Sequence, residues 1–380
     1  MQWFDDDRAL ADAARVDAAG DRIPSGPLRG LPITVKDWID VEGFPCAGGS
    51  PHHVDRRPEE DATVVARLRA SGAVVCAKTS PWNSVTPTET TVRHPDDPER
   101  WPGGSSSGDA IVTAAGAVAL GVGSDSGGSV RLPAAWCGVF GVKPTTGLLP
   151  ATGHFPRVGA WSDGRTTIGF LSPDLALVET ALRTTAGPDG LDAGAPPVPL
   201  PARPESLAGL RLGVLPADPD WPTSPAMADA VTDAAGRLAA AGMTHVEWSW
   251  SWLGESLDVT ARYWGRTRLT GAEVSQQLWD WDRFRRRYLA TGVDILVSPT
   301  VADVAPLRSN VERRARADGM PVHTDDFVFT LPASLTGSPA ISVPAGHDPA
   351  TGLPLAVQLV GRPWTDPVVL AAAAVVASRG

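Results

Sequence analysis

A chain of 380 residues, 43% hydrophobic and 20% charged, is long enough to bury a large core, in one large domain or two to three smaller ones. Its net charge of −10 argues against binding nucleic acid through a broad basic surface. No run approaches the roughly 18 consecutive apolar residues of a membrane span, and the acidic opening Met1 to Asp7 lacks an apolar signal core, so the cytoplasm is the expected location.

In chain order, residues 5–19 read as a short amphipathic helix ending near Gly20. Ile33-Thr34-Val35 is a short β-branched strand leading into Lys36. Asp61 to Ser71 looks helical, with Asp61 as N-cap and Val64, Val65 and Leu68 as the apolar face. Gly72 ends it, and Ala73 to Ala77 reads as a buried strand. This strand–helix–strand alternation favours an α/β sheet. Asp109 to Val118 is predicted to be helical and Val118 to Gly123 a strand. Val139 to Val142 is another strand, and Leu175 to Thr184 a helix. The Pro-, Gly- and Ala-rich stretch 186–206 is the best linker or surface crossing. Leu210 to Leu215 resumes as a strand, 224–290 is mainly helical, and Asp294 to Thr300 is a buried strand ended by Pro. Two further strands, Ala340 to Pro344 and Leu355 to Gly361, precede a helix from about Pro367. Strands at both ends of the chain suggest one sheet completed by the C-terminus. The expected organisation is a single domain over 1–380 with a helical insertion at 190–290.

Chemistry concentrates in three segments. Only three lysines occur, Lys36, Lys78 and Lys143, so 30 of the 33 basic residues are arginine. Arginine keeps its proton in a protein, whereas a buried lysine can lose one and act as a base. Lys36 closes Pro32-Ile33-Thr34-Val35-Lys36-Asp37. Downstream lie two Gly/Ser-rich loops, Gly103 to Gly108 and Gly123 to Ser129. In the second loop Ser129 is the natural nucleophile for acyl transfer. Backbone N–H groups of Ser126, Gly127, Gly128 and Ser129 are candidate donors to an oxyanion, because the glycines let the backbone approach a carbonyl closely. Lysine has a reference pKa of about 10.4, and lowering it by roughly three units costs about 4 kcal/mol, which burial can impose. Lys36 follows an apolar strand and so points inside. A serine relay between Lys36 and Ser129 would complete the set, with Ser105 and Ser106 as its candidates. Alternatively, Lys36 is a structural lysine paired with Asp37 or Asp125, and the loops are linkers or phosphate cradles. Neither loop has the G-x-x-x-x-G-K-[ST] pattern or a clean G-x-G-x-x-G.

Cys46, Cys76 and Cys137 are odd in number and far apart, which supports neither a disulfide framework nor a zinc site. The pair His52-His53 lies in a polar stretch and reads as surface loop. No metal and no cofactor is expected.

Taken together, the three segments resemble the amidase signature family of serine amidohydrolases. The family's usual pattern is a Pro-Ile-x-Val-Lys-Asp strand, then Gly-Gly-Ser-Ser-Gly-Gly, then Gly-Thr-Asp-x-Gly-Gly-Ser-[Ile/Val]-Arg-x-Pro-Ala. This chain has Pro32 to Asp37, Gly103 to Gly108 and Gly123 to Ala134 in that order. Asp61 to Leu68, Cys137 to Thr145, Gly337 to Gly346 and Pro354 to Gly361 are similar too, so the likeness spans 28–180 and 292–375 and leaves 190–290 unrecognised. The resemblance implies an α/β amidase signature fold, a large mixed central β-sheet flanked by helices. It implies a Ser-cisSer-Lys triad: Ser129 as the acylated nucleophile, Ser105 as the bridging serine on a cis peptide bond, and Lys36 as base. The activity it implies is an amidohydrolase cleaving a small-molecule carboxamide through an acyl-enzyme on Ser129. An esterase, an amide-forming acyltransferase, or the glutamine-hydrolysing subunit of an amidotransferase would share that chemistry. A small-molecule amide is the expected partner, without nucleic acid or membrane, and a homodimer is compatible with it. Lys78 and Lys143 are expected to be structural.

The chain departs from the family pattern at Ser107, where Gly is usual, at Asp109, where small residues are common, at Ser124 and at Ser80. These departures touch substrate choice rather than the triad. Trp82, Trp101 and Trp136 flank the motifs and could line an aromatic or apolar acyl pocket, although core packing is the stronger expectation for them. Arg262, Trp264 and Arg266 are expected to lie on a solvated helix face.

Overall fold

The structure is a computed structural model and describes residues 3–23, 25–80, 92–156, 164–247, 252–265, 269–310 and 324–378. The strands are β1 (Trp3–Phe4), β2 (Pro32–Lys36), β3 (Val74–Thr79), β4 (Leu120–Asp125), β5 (Phe140–Lys143), β6 (Thr167–Ser172), β7 (Arg211–Val214), β8 (Thr244–His245), β9 (Ile295–Pro299), β10 (Ala340–His347) and β11 (Pro354–Gly361). Among the described residues they form one mixed sheet in the order β1-β3-β2-β4-β6-β5-β10-β11-β9-β7-β8. The helices are α1 (Asp6–Ala18), α2 (Thr63–Ala70), α3 (Ser107–Ala114), α4 (Arg131–Cys137), α5 (Leu175–Thr185), α6 (Pro225–Ala240), α7 (Leu253–Trp264), α8 (Gly271–Ala290), α9 (Leu331–Thr336) and α10 (Asp366–Ala377). None of them is long and apolar enough to cross a membrane.

Successive strand residues point to opposite faces, and the sequence uses that alternation to divide labour. Ile33 and Val35 of β2, Leu120 and Val122 of β4, Ile341 and Val343 of β10, and Val357 and Leu359 of β11 share one core. Apolar residues of α2, α5, α6 and α10 complete it. The residues between them, Thr34 and Lys36, Gly121 and Gly123, Ser342, and Gln358, are polar or lack a side chain and belong to the other face. There α3 and α4 pack over Val130, Ala134, Val139 and Leu171. Residues of α7, α8 and α9 build a further cluster around Phe284, Leu296 and Val360. β2 and β4 run parallel and side by side, with Thr34 opposite Gly121 and Val35 opposite Val122. The ends of these two strands therefore bring Lys36 and the second serine loop together.

The mixed α/β sheet with flanking helices is the expected fold, but local details differ. Helix α2 begins at Thr63 with Ala62 as its N-cap, not Asp61. The Asp61 carboxylate instead accepts from the Glu42 amide and from Arg69, both at 2.8 Å. Strands β7 and β8 and helix α6 show that much of 190–247 builds the sheet edge and its cover.

Candidate active site

β2 ends on Lys36, and the alternation that sends Ile33 and Val35 into the core turns the lysine toward the two serine loops. It is fully buried. Its Nζ lies 2.7 Å from Ser105 Oγ, 3.2 Å from Ser106 Oγ and 3.4 Å from the Ser124 carbonyl oxygen. The Trp38 ring covers it, with Nζ 4.0 Å from the ring centre. Burial lowers the amine to about 7, against the opposing pull of the Asp109 and Asp125 carboxylates. Such an amine is largely deprotonated just above neutrality, as a general base requires. Both serines left open by the sequence reach the amine, Ser105 more closely, and the Gly104–Ser105 peptide bond is cis.

The second loop is wound around Asp125, the last residue of β4. Its Oδ1 accepts from the Gly128 amide at 2.8 Å and its Oδ2 from the Val130 amide at 3.2 Å. Gly128 has φ +133, and a Cβ there would sit 2.2 Å from Thr330 Oγ1, so no other residue fits. The Gly128 N–H is thus engaged by Asp125, which corrects its expected part as an oxyanion donor. Gly128 shapes the turn, and Ser126, Gly127 and Ser129 remain as candidate donors. Ser129 is half-buried, and its carbonyl accepts from the Ser106 amide at 3.0 Å, which ties the two serine loops together.

Asp125 is held by Arg131, and both are fully buried. The guanidinium donates from Nε to Asp125 Oδ2 at 3.0 Å and from Nη2 to Oδ1 at 2.9 Å. Its remaining donors reach the Thr330 carbonyl, Gln358 Oε1 and Ser334 Oγ at 2.9, 2.6 and 2.9 Å. All five donors of the fork are therefore used. Burial alone would raise the Asp125 carboxyl, but Arg131 and Lys143 hold it at about 2. Replacing Arg131 by methionine would leave that carboxylate buried without its partner, and an expected loss of about 3–5 kcal/mol follows. Arg131→Lys should recover little, because an ammonium cannot reproduce the fork. Urea unfolding of the three proteins at pH 7 checks both expectations.

The other lysines are satisfied by backbone. Lys143 Nζ donates to the Pro144 and Ser338 carbonyls, both at 2.9 Å, and Lys78 Nζ donates to the Ile39 carbonyl. Neither touches a serine of the loops. His52 and His53 are exposed. Trp101 and Trp136 are core, packed with Leu132, Val301 and Leu331. Trp82 and Arg266 lie outside the described residues. Arg262 pairs with Asp280 of α8 at 2.8 Å and, within α7, with Asp258 at 2.7 Å. Trp264 does not lie on a solvated face. Its ring stands edge-on to Phe327 and comes 3.0 Å from where a Cβ on Gly127 would be, so α7 closes against the second serine loop.

Two supports escaped the sequence reading. Arg131 sits inside a quoted motif, yet nothing local announces a bond to Gln358, 227 residues on. His154 is buried, with one ring nitrogen 2.7 Å from Ser124 Oγ and the other 2.8 Å from the Pro156 carbonyl oxygen. Its ring meets Trp38 edge-on, 6.1 Å between centres. No spacing signal pointed to it.

The sequence and the fold have counterparts among known proteins. A family profile described as Amidase matches residues 3–268 and 267–370, and so runs through the stretch in which the sequence showed no motif. AtzE of Pseudomonas sp. (strain ADP), one of the subunits of a 1-carboxybiuret hydrolase, is 32% identical over 418 residues, covering 98% of this chain and 89% of that protein. The A subunit of the glutamyl-tRNA(Gln) amidotransferase of Thermus thermophilus is 33% identical over 422 residues, covering 95% and 85%. The solved structure of 6-aminohexanoate cyclic dimer hydrolase shares the fold, with a TM-score of 0.82 at 24% identity over 98% of this chain and 88% of that one.

Proposed function

This chain belongs to the amidase family and is a hydrolase of carbon–nitrogen bonds, and from that premise we propose that it cleaves a small-molecule carboxamide by acyl transfer through Ser129, with Ser105 as proton bridge and Lys36 as base. The observation that carries the reading is the fully buried, neutral-leaning amine 2.7 Å from Ser105 Oγ, beside a loop bonded to that of Ser129. Ser129 Oγ attacks the amide carbon as its proton passes to Ser105 Oγ, whose own proton passes to Lys36 Nζ. The tetrahedral oxyanion is held by backbone N–H groups of Ser126, Gly127 and Ser129. Collapse breaks the C–N bond, and the leaving amine takes the proton back from the lysine through Ser105. Water then attacks the acyl-enzyme ester, giving up a proton along the same path, and acid and free Ser129 are released.

The substrates named for the relatives, carboxybiuret and a cyclic aminohexanoate dimer, are small amides and favour a compact acyl group here. The same reading takes the chain as one amidase domain. The three cysteines are free, which suits the cytoplasm. A screen of primary amides, anilides and esters for released acid, with Ser129→Ala as control, tests the proposal. Amide hydrolysis that vanishes in the variant is expected. Acid released from esters alone, or amide hydrolysis that survives in the variant, would overturn it.

A further inference from the structure

The serine chemistry leaves Asp109 without a part. It is the third residue of α3, four after Ser105, and is fully buried. A Cβ on Gly121 would lie 2.7 Å from Asp109 Cβ, and one on Gly123 would lie 2.7 Å from Ser106 Oγ. The two bare positions of β4 thus let α3 lay Ser106 and Asp109, one turn apart, against the face from which Lys36 projects. Thr34, opposite Gly121 and two residues before Lys36, donates its hydroxyl to Asp109 Oδ1 at 2.9 Å. Thr79 is the β3 partner of Lys36. Asp109 Oδ2 and Thr79 Oγ1 are buried with no hydrogen bond of good geometry among the described residues.

A carboxylate in such a place is costly unless it faces positive charge. The charges facing Asp109 are Lys36 on β2 and Lys78 on β3. Burial raises its carboxyl to about 6, and the hydroxyls of Thr79 and Thr34 and the two amines draw against that rise. Lys36 faces two carboxylates, Asp109 on α3 and Asp125 on β4, while Lys78 also faces Cys46, Asp37 and Asp40. Asp125 is already neutralised by the Arg131 fork. Among the described residues Asp109 has no arginine partner.

We propose that Asp109 is a positioning residue for the reaction, the counter-charge for the ammonium that forms on Lys36 as Ser129 attacks. The inference rests on Lys36 being the base. A proton delivered to a buried amine creates a charge that the interior opposes, and a fixed carboxylate nearby offsets that opposition in the transition state. The same carboxylate also keeps the resting amine a stronger base than its burial alone would leave it.

The test is the rate of Ser129 modification by a fluorophosphonate across pH 5 to 10, in the wild type and in Asp109→Asn, Asp109→Glu and Lys36→Ala, with melting temperatures alongside. Asparagine keeps the shape and an acceptor for Thr34 but removes the charge. Its acid limb is expected to move to lower pH by about one unit, with a lower plateau because the weaker base draws the proton less strongly. Glutamate should move the limb back toward the wild type. A folded Asp109→Asn protein with the wild-type limb overturns the inference, whatever its melting temperature. A wild-type limb that persists in Lys36→Ala instead overturns the assignment of the base. If Asp109→Asn does not fold, Thr34→Val removes the bond that steadies the carboxylate and should shift the limb the same way by less. A superimposable Thr34→Val profile then overturns the proposal.

Discussion

Ser129→Ala is expected to lower amide hydrolysis by about ten-thousandfold to a millionfold and to abolish covalent labelling by a fluorophosphonate, read by intact-mass spectrometry. The fold should not suffer. Ser129 holds the first loop through its backbone carbonyl, which alanine retains, and its side chain is half-buried rather than core. The loop itself is fixed by the Asp125 carboxylate and the Arg131 fork, which the substitution leaves alone. What survives should be the small rate that oriented donors and binding provide without a nucleophile. A labelled mass adduct in the alanine variant would place the reactive hydroxyl elsewhere, and Ser105 and Ser106 are the nearest alternatives to the amine.

Lys36→Ala should be comparably damaging, and Lys36→Arg should not rescue it, since arginine cannot give up its proton. In the proposed mechanism the working form is the neutral amine. Activity should therefore rise with pH through the amine's value of about 7 and level off above it. The sign follows from burial, which disfavours the ammonium. The same burial weighs on stability: the folded state resists a proton that the unfolded chain binds below its ordinary value near 10.5, so stability from this group falls as pH drops from there toward 7 and is flat below. A pH–rate profile measured together with the pH dependence of unfolding checks both. An acid limb far from 7 that persists in Lys36→Ala would remove the lysine as base.

Much of this was legible in the chain because the site is built from contiguous words. Strand β2 and both serine loops are spelled by short runs whose residue types leave few alternatives. Helix α5 and strand β9 also fall close to where periodicity placed them. What failed to show was non-local or locally ambiguous. α4 begins inside the second loop's motif and carries Pro133, so no periodic pattern announced it. α3 starts two residues earlier than predicted, where the Ser107 hydroxyl bonds the Gly103 carbonyl. β6 carries Gly169 in mid-run, a weak strand signal, and its missing side chain leaves room for the Val142 carbonyl of the neighbouring strand. Asp61 had the chemistry of a cap, but Arg69 eight residues on claimed its carboxylate. The amine-to-serine contact joins residues 69 apart, and it depends on the parallel register of β2 and β4 together with the packing of the α3 start against Gly121 and Gly123. A single sequence carries no trace of that register, so the family pattern supplied it. Trp264 was misread because nothing in α7's sequence says which loop its end will meet.

The three lysines are all sealed inside the protein. An outer surface whose positive charge is carried by guanidinium groups offers no side-chain amine to an acylating or cross-linking reagent. Ester-activated dyes, formaldehyde bridges and resins that capture ε-amines would pass the native molecule by at those three positions, and all three would become reactive together when the chain opens. Lysine modification of this protein therefore reports the unfolded population rather than the accessible surface.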